Sequence, residues 1–352
     1  MPTPPDLFLI AGEASGDFLG STLLKQLGIA STGVGGPLMR AQGLTPIFNT
    51  EELQVMGFVD VAKNLPHLIS LFRKTVSTIL QLNPKIVVTI DYPGFNLRLA
   101  QTLRKKGFLG KLYHVVCPSV WAWGKNRINT LAQNYDLLFT LFPFEKELFS
   151  HTNLHVEYIG HPFTKVLSPA PPPQTPLIAL FPGSRLHEIK RNLPFFLRLL
   201  PKIPSYPVVI SLAHEKFRPL IEKLAGPIPL LLPDVMNAQT PTLAIAKCGT
   251  IALELALRGI PTVVTYGMSP LDTALAKWLF RINLPHYSLP NLILNRLLFP
   301  ELIGPALTDE NLFQAVSSLL SSLDACRHGC QEVRAALTPG VPIAPFFPFK
   351  DL

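Results

Sequence analysis

Residues 175–191 constrain the fold of this chain most strongly, because they predict a strand, a glycine turn and a helix in direct succession. The letters TPLIALFPGSRLHEIKR place an apolar strand over 177–181, a turn through Gly183, and Ser184 and Arg185 in the first helical turn. A helix N-terminus has free N–H groups and a partial positive charge, so a glycine that permits close approach suits it to phosphate. The arginine adds a bidentate donor. The alternative is an ordinary strand-to-helix loop with a surface arginine.

The same alternation of strands and helices recurs in both halves of the 352-residue chain, which predicts two α/β domains. Stacked prolines at 166–176 fit neither a sheet nor a helix, so this segment is predicted to be a linker. We therefore expect one Rossmann-like domain over 1–165, a second over 177–335, and an apolar, proline-rich tail over 336–352. Two such domains in tandem are expected to form a cleft.

Charge and composition restrict the partners and the compartment. The net charge of +8 indicates an anionic partner, which would be nucleic acid, a nucleotide or an anionic lipid surface. A basic stripe with interleaved aromatics is lacking, so nucleic acid is not expected. No apolar run reaches the ~18 residues of a membrane-spanning helix, and the N-terminus lacks a basic signal-peptide region. We expect a cytoplasmic protein, with the cysteines at 326 and 330 as free thiols rather than metal ligands.

Asp91 is the strongest candidate for a catalytic base. It follows an apolar strand over 86–90 and precedes a turn and a helix that starts near Asn96. Ligands of open α/β sheets gather beyond the carboxyl ends of the strands, so this carboxylate is placed to act on one. An Asx turn or a helix cap is the alternative. In the first strand-to-helix turn, the charges of Glu13 and Asp17 suit sugar hydroxyls better than a pyrophosphate.

Gly249 and Thr250 open a second helix that suits phosphate. Glu254 lies on the same face one turn later and is able to accept hydrogen bonds from two sugar hydroxyls. The alternative is a solvated helix residue, although its apolar neighbours make a free carboxylate costly there.

The segment between Leu65 and Leu82 has apolar residues at helical spacing, which predicts a helix packed on the sheet. The residues of this apolar stripe are Leu65, Leu68, Ile69, Phe72, Val76 and Ile79. Leu71 and Leu82 lie off the main apolar stripe and beside cations, so contact with a membrane surface is the alternative.

With these elements placed, the chain resembles the lipid-A-disaccharide synthases, which are glycosyltransferases of the GT-B type. The blocks that carry the resemblance occur in order over most of the chain. They are GEASGD (12–17), VMGFVDV (55–61), IDYPGFN (90–96), PSVWAW (118–123), LFPFEK (141–146), IGHPF (159–163), FPGSR (181–185), CGTIALE (248–254), SLPNLI (288–293) and PEL (300–302). The resemblance implies an α/β fold of GT-B architecture, with two Rossmann-like domains facing a central cleft.

The resemblance also implies a reaction. UDP-2,3-diacylglucosamine would donate its sugar, with inversion, to the 6-hydroxyl of 2,3-diacylglucosamine 1-phosphate, giving a β-1,6-linked disaccharide phosphate and UDP. Asp91 falls on the family's candidate for the general base, and Arg185 on the diphosphate clamp as a second catalytic residue. The implied substrate-binding residues are Glu13, Asn96, Gly183, Ser184, Gly249, Thr250, Glu254 and Asn291.

Further expectations follow from the resemblance. No metal or other cofactor is expected, because Arg185 and a helix N-terminus would neutralise the departing diphosphate. Acylated substrates and a basic chain imply peripheral contact with the anionic inner face of the inner membrane. A homodimer is also implied, although the family ends in a helix and this chain ends in a proline-rich tail.

The chain departs from the family's pattern at Gly94, where a second acid is usual, and at Lys247 and Cys248, where small residues are usual. The alternative function is that of another GT-B enzyme with a UDP-N-acetylglucosamine-type substrate. That alternative would not require the PSVWAW and SLPN blocks together.

Overall fold

The computed structural model describes residues 6–53, 58–121, 124, 126–231, 240–268 and 285–349, with the backbone alone over 58–64. The chain divides into two compact units: residues 1–162 with 339–352, and residues 163–338. The segment predicted to be a linker, 166–176, thus falls in the span of the second unit. Most of the tail predicted over 336–352 falls in the span of the first. The side chains of the motif at 55–61 and the whole of Trp123 lie outside the described residues.

The first unit is an α/β fold around a parallel sheet, whose described strands run in the order β3-β2-β1-β4-β5-β6-β7. These strands are β1 (Leu7–Ala11), β2 (Ser31–Gly35), β3 (Leu44–Asn49), β4 (Ile86–Ile90), β5 (Lys111–Val115), β6 (Leu137–Thr140) and β7 (His155–Tyr158). Its described α-helices are α1 (Ala14–Leu27), α2 (Pro37–Ala41), α3 (Phe58–Leu82), α4 (Pro93–Lys105) and α5 (Asn126–Asn134). The strand order reverses direction between β1 and β4. The edge of the sheet formed by the carboxyl ends of these two strands is therefore the expected ligand position.

Both faces of this sheet are buried, which explains the uninterrupted apolar strands. In β1 the side chains of Leu7 and Leu9 belong to one hydrophobic cluster, and those of Phe8 and Ile10 belong to another. Side chains alternate between the faces of a strand, so a strand covered on both sides needs an apolar residue at every position.

The C-terminal tail packs on the first unit. Ile343 and Phe347 are buried in the same cluster as Leu7 and Leu9. The Val341 N–H donates to the Tyr158 carbonyl oxygen at 3.0 Å, and the Tyr113 hydroxyl donates to the Phe346 carbonyl oxygen at 3.2 Å. The position of the tail was not predicted from the sequence, because its prolines and phenylalanines show no helical or strand period.

The second unit repeats this architecture with a parallel sheet, whose described strands run β10-β9-β8-β11-β12-β13. These strands are β8 (Ile178–Phe181), β9 (Val208–Ser211), β10 (Leu230–Leu231), β11 (Leu243–Lys247), β12 (Thr262–Tyr266) and β13 (Glu301–Ile303). The described α-helices are α6 (Phe163–Val166), α7 (Leu186–Leu199), α8 (Arg218–Ala225), α9 (Thr250–Leu257), α10 (Leu289–Leu294), α11 (Asp309–Leu320) and α12 (Leu323–Ala336). The order reverses between β8 and β11, the strands that precede the two predicted phosphate turns.

Helix α3 covers one face of the first sheet, but its apolar residues are not distributed as predicted. Leu71, which was expected off the packed stripe, is buried, whereas Leu65 and Ile69, which were expected on it, are 50% and 41% exposed. The prediction was wrong for these three residues because the buried stripe runs through Leu71, Thr75 and Ile79, which are four residues apart and so share one helix face.

Candidate functional site

Asp91 stands at the carboxyl end of β4, beyond the edge where the strand order of the first sheet reverses. Asp91 and Tyr92 both have left-handed backbones, with φ of +48° and +49°. Such a conformation is uncommon outside glycine and asparagine and must be held by its surroundings. The Asp91 N–H donates to the Val115 carbonyl oxygen at 2.9 Å, so β5 is part of that support.

Two carboxylates share this edge of the sheet. Burial raises the pKa of Asp91 above its ordinary value, and a hydrogen bond from the Tyr92 backbone offsets part of the effect. The pKa of Glu13 is also raised, first by burial and then by the negative charge of Asp91. Because β1 and β4 are neighbours, with Ala11 opposite Ile90, the two acids follow adjacent strand ends. A carboxylate with a raised pKa is better matched to general-base catalysis near neutral pH.

Asn96, predicted to bind substrate, is fully buried in α4. Its Nδ2 atom donates to the carbonyl oxygens of Asp91 at 2.7 Å and Ile90 at 3.3 Å. The side chain therefore holds the backbone of the Asp91 turn in its left-handed form. This contact agrees with a positioning role and keeps the amide away from the surface.

A buried polar chain that sequence reasoning missed continues behind Asn96. The Tyr135 hydroxyl donates to the Asn96 carbonyl oxygen at 3.0 Å and lies 3.0 Å from Thr89 Oγ1. Thr89 Oγ1 in turn lies 2.7 Å from His114 Nδ1. Burial lowers the pKa of His114 to about 3, so this imidazole is neutral. These residues sit inside apolar runs, and the sequence gives no sign that they meet.

The turn after β8 has the predicted strand–glycine–helix form. Gly183 has a φ of +123°, and a Cβ at this position would lie 2.6 Å from the Cβ of Glu188. Both the backbone and the available space therefore require glycine. Ser184 and Arg185 are exposed, and Arg185 is the N-cap of α7 without capping through its side chain. Its side chain is 70% exposed.

Glu188, which the sequence analysis did not single out, organises this turn. Its Oε2 accepts the Ser184 N–H at 3.0 Å, and its Oε1 lies 3.3 Å from Arg185 Nη1 and 3.0 Å from Lys247 Nζ. Burial alone would raise the pKa of this carboxyl, but Lys247, the Ser184 N–H and Arg185 outweigh burial and lower it. The helical period of 3.6 residues predicts that Glu188 lies on α7. It does not predict that Glu188 pairs with Lys247 on β11.

Asn192, also missed, ties the turn to a third strand end. Its Nδ2 donates to the carbonyl oxygens of Glu188 at 2.9 Å and of Pro182, which follows β8, at 3.4 Å, and its Oδ1 accepts the Gly267 N–H at 2.9 Å. Gly267 follows β12, so one buried amide joins the ends of β8 and β12.

Gly249 and Thr250 lie at the start of α9, directly after β11, which is the neighbour of β8. Their backbone thus joins the Gly183 turn at the edge where this sheet reverses. Glu254 is partly exposed and pairs with Arg258 Nε at 3.2 Å. That ion pair offsets the cost of placing a carboxylate on a largely buried helix.

Asn291 is fully buried and all of its polar side-chain atoms are bonded. Its Nδ2 donates to the Phe299 carbonyl oxygen and to Glu301 Oε1, each at 2.8 Å, and its Oδ1 accepts the N–H groups of Leu298 and Phe299. Glu301 also accepts the Ser288 N–H at 2.7 Å. Asn291 therefore holds the segment that follows α10, and Glu301 holds the loop before it. Its side chain does not face the surface.

The structure thus groups the predicted residues separately in each unit. In the first unit, Glu13 and Asp91 share one edge, with Asn96 behind them. In the second unit, the turn that begins at Gly183 meets the turn that begins at Gly249, and Asn291 supports a neighbouring loop. Among the residues that the structure describes, no three His, Cys, Asp or Glu side chains are placed to hold a metal ion. Within the same ranges, every helix is too short or too polar to traverse a bilayer.

Comparison with known proteins agrees with this geometry. The family model for lipid-A-disaccharide synthetase matches residues 7–338. A lipid-A-disaccharide synthase of Chlamydia pneumoniae is 41% identical over 324 residues, which cover 84% of this chain and 53% of the relative. The chain therefore spans about half the length of the chlamydial relatives that it matches. A synthase of Pseudomonas fluorescens is 36% identical over 357 residues, covering 94% of this chain and 93% of the relative.

Solved structures show the fold. The calicheamicin glycosyltransferase CalG4 superposes with a TM-score of 0.55 at 14% identity, covering 96% of this chain and 94% of that one. Together with the two parallel-sheet units, this likeness confirms the predicted GT-B fold. The match of the family model over residues 7–338 and the identity to two synthases place the chain in the lipid-A-disaccharide synthetase family.

Proposed function

We propose that this protein is a lipid-A-disaccharide synthase. It transfers 2,3-diacylglucosamine from UDP-2,3-diacylglucosamine to the 6-hydroxyl of 2,3-diacylglucosamine 1-phosphate, with inversion. The observation that carries the proposal is the family match over residues 7–338, which includes both candidate edges. The P. fluorescens synthase, of which the chain covers 93%, supports the same activity.

Asp91 acts as the general base in this proposal. The acceptor oxygen forms a bond to the anomeric carbon of the donor sugar, and its proton passes to Asp91. The bond between that carbon and the β-phosphate oxygen breaks, and its electron pair leaves with UDP. One displacement inverts the anomeric centre. The raised pKa of Asp91, caused by burial, supports this role, because a stronger base removes a hydroxyl proton more readily.

The second unit binds the departing diphosphate. Arg185 provides a mobile bidentate donor, and the N–H groups at the starts of α7 and α9 face the anion. Negative charge grows on the β-phosphate oxygen in the transition state, so these donors strengthen as the bond breaks. Gly183 and Gly249 allow the backbone to approach, and Ser184 and Thr250 add hydroxyl groups.

We also propose that the first unit touches the anionic inner face of the inner membrane, where acylated substrates reside. Leu65 and Ile69 on α3 are exposed apolar residues, and Arg73 and Lys74 are exposed cations on the same helix. Such a surface suits insertion into an interface with anionic lipid. Sedimentation with vesicles that contain phosphatidylglycerol tests this contact, and Leu65→Ser with Ile69→Ser is expected to weaken it.

A homodimer is proposed from the family resemblance alone, and light scattering after size-exclusion chromatography tests it.

The decisive experiment is disaccharide formation from both acylated substrates in detergent micelles, with and without EDTA. Asp91→Asn and Arg185→Ala are each expected to lower turnover at least about a hundredfold, while EDTA leaves the native rate unchanged. Asp324→Asn and Arg198→Ala are matched controls, because both side chains form surface ion pairs.

A native chain that converts UDP-N-acetylglucosamine, which lacks the two acyl chains of the proposed donor, equally well would contradict the proposed substrate class. That outcome would favour another GT-B enzyme. If EDTA stopped turnover by the native chain, the proposal that UDP departs without the help of a metal ion would be refuted.

A further inference from the structure

Lys247 is a charged residue at the second unit's candidate edge that the proposed mechanism has not used. It ends β11, where Ala246 stands opposite Phe181 of β8, so its backbone is level with the start of the Gly183 turn. The side chain is 16% exposed. Its Nζ atom lies 5.2 Å from the ring centre of Tyr266 and 3.5 Å from the position of a Cβ on Gly249. The ammonium is therefore held beside the start of α9.

Glu188 connects this ammonium to the other phosphate turn. The carboxylate is 4% exposed and lies between Lys247 on one side and Arg185 with the Ser184 N–H on the other. The three charged side chains sum to one positive charge. Without Lys247 the sum is zero, and the exposed Arg185 would be the remaining cation for a buried carboxylate.

We propose that Lys247 binds the diphosphate of the sugar nucleotide directly, as a second cation beside Arg185, while Glu188 holds the ammonium between the two turns. The inference rests on the proposed function, because it assigns a ligand group to the same edge. When the glycosidic bond to UDP breaks, its electron pair remains on the β-phosphate oxygen, and the leaving group gains one negative charge. Lys247 then neutralises this charge together with Arg185.

The side chain at position 247 suits this role better than a purely structural one. An ion pair between two buried groups rarely stabilises a fold more than an apolar pair of the same size. A lysine that serves only packing gains little from a buried glutamate partner. A point charge beside free helix N–H groups, in contrast, matches the way lysine commonly contacts phosphate. Family members usually have a small residue at this position, so in them other groups must neutralise the diphosphate.

The test measures UDP and uridine binding to the full chain by titration calorimetry at fixed ionic strength. Uridine is the phosphate-free probe. The variants are Lys247→Met, Glu188→Gln and the double variant, and Lys202→Met is the control because Lys202 pairs with Glu310 on the surface. Lys247→Met is expected to weaken UDP binding about 10- to 100-fold and to leave uridine binding unchanged.

The double variant separates direct contact from neutralisation of Glu188, and also guards against misfolding caused by an unpaired buried carboxylate. If Lys247 contacts the diphosphate, the double variant binds UDP as weakly as Lys247→Met does. Recovery of native UDP affinity in the double variant would overturn the inference, as would native affinity in Lys247→Met. A native chain that binds uridine and UDP with equal affinity would overturn the proposed diphosphate site as well. In contrast, failure of Lys247→Met alone to change UDP affinity leaves the proposed function intact.

Discussion

Glu145 provides the sharpest physical prediction, because its carboxyl is buried in the first unit, within the LFPFEK block. The residue lies in a 3₁₀ helix over Pro143–Phe149 and is 2% exposed. Burial raises its pKa from the ordinary 4.5 to about 8, although the hydrogen bond from the Phe142 backbone acts in the opposite direction. The folded protein therefore holds this carboxyl protonated at neutral pH.

The consequence is a loss of stability as pH rises. Between pH 4.5 and 8 the folded chain binds a proton at Glu145 that the unfolded chain has released, so the free energy of unfolding falls with increasing pH. Below pH 6.5 two buried histidines act in the opposite direction, because burial lowers the pKa of His161 to about 4 and that of His114 to about 3. At pH 6.5 the histidines of the unfolded chain are still half protonated, so the difference between the native chain and a variant without the Glu145 carboxyl is what isolates Glu145. From pH 6.5 to 8 the expected contribution of Glu145 is a loss of about 1.5 kcal/mol.

The perturbation is Glu145→Gln, which keeps the size of the side chain and an oxygen for the Phe142 N–H at 3.2 Å. Urea denaturation followed by circular dichroism, at pH 6.5, 7, 7.5 and 8, should show that the free energy of unfolding falls more with pH in the native chain than in the variant, by about 1.5 kcal/mol over the window. Glu147→Gln is the control, because Glu147 is exposed on the same 3₁₀ helix and should leave the native slope unchanged. A slope that is the same in Glu145→Gln as in the native chain would refute the reasoning.

Four other substitutions test the two edges. In the native chain the rate should fall at low pH as Asp91 is protonated, and its raised pKa places this fall above the usual range for aspartate. Asp91→Asn should abolish this fall, which initial rates from pH 4 to 8 measure. Asn96→Ala should lower kcat more than it changes KM for the sugar nucleotide, because the Asp91 turn loses two hydrogen bonds; steady-state kinetics measure it. Gly183→Ala should cost about 1–3 kcal/mol of backbone strain at φ +123° and weaken UDP binding, as calorimetry would show. Gly94→Asp should raise the free energy of unfolding by about 1 kcal/mol, because a Cβ there meets open space and an acid in the first turn of α4 favours the helix dipole; thermal denaturation measures it.

Local patterns were enough to predict the elements that carry the candidate residues. The apolar runs predicted β4 and β8 within one residue of their observed bounds, and glycine signalled the left-handed turn at Gly183. Strand period and glycine chemistry act between neighbours in sequence, so a single chain displays them directly. The positions of Asp91 and Arg185 at strand and helix ends follow from the same signals.

Contacts between residues on different strands and helices could not be predicted from the sequence. Glu188 and Lys247 belong to different strand–helix units and meet only because β8 and β11 pair. Likewise, Asn96 and Asn291 look like exposed ligands in their motifs, but each holds backbone groups from inside the fold. A motif identifies the residue type that a place requires. Only the packing tells whether that residue faces a ligand or the backbone that presents one.

The two sheets reverse strand order in the same way, yet their edges have opposite electrostatic character, and this difference supports a division of roles. In the first unit burial raises the pKa of Asp91 and of Glu13, with no cation among the causes, which favours taking a proton from a hydroxyl. In the second unit Lys247 and Arg185 lower the pKa of the buried Glu188, so that edge keeps an excess of positive charge suited to a diphosphate. Environments that push the pKa values of carboxylates apart are the usual basis for distinct chemical roles. We therefore infer that the acceptor hydroxyl is handled by the first unit and the leaving UDP by the second, and that exchanging these charges would remove both functions.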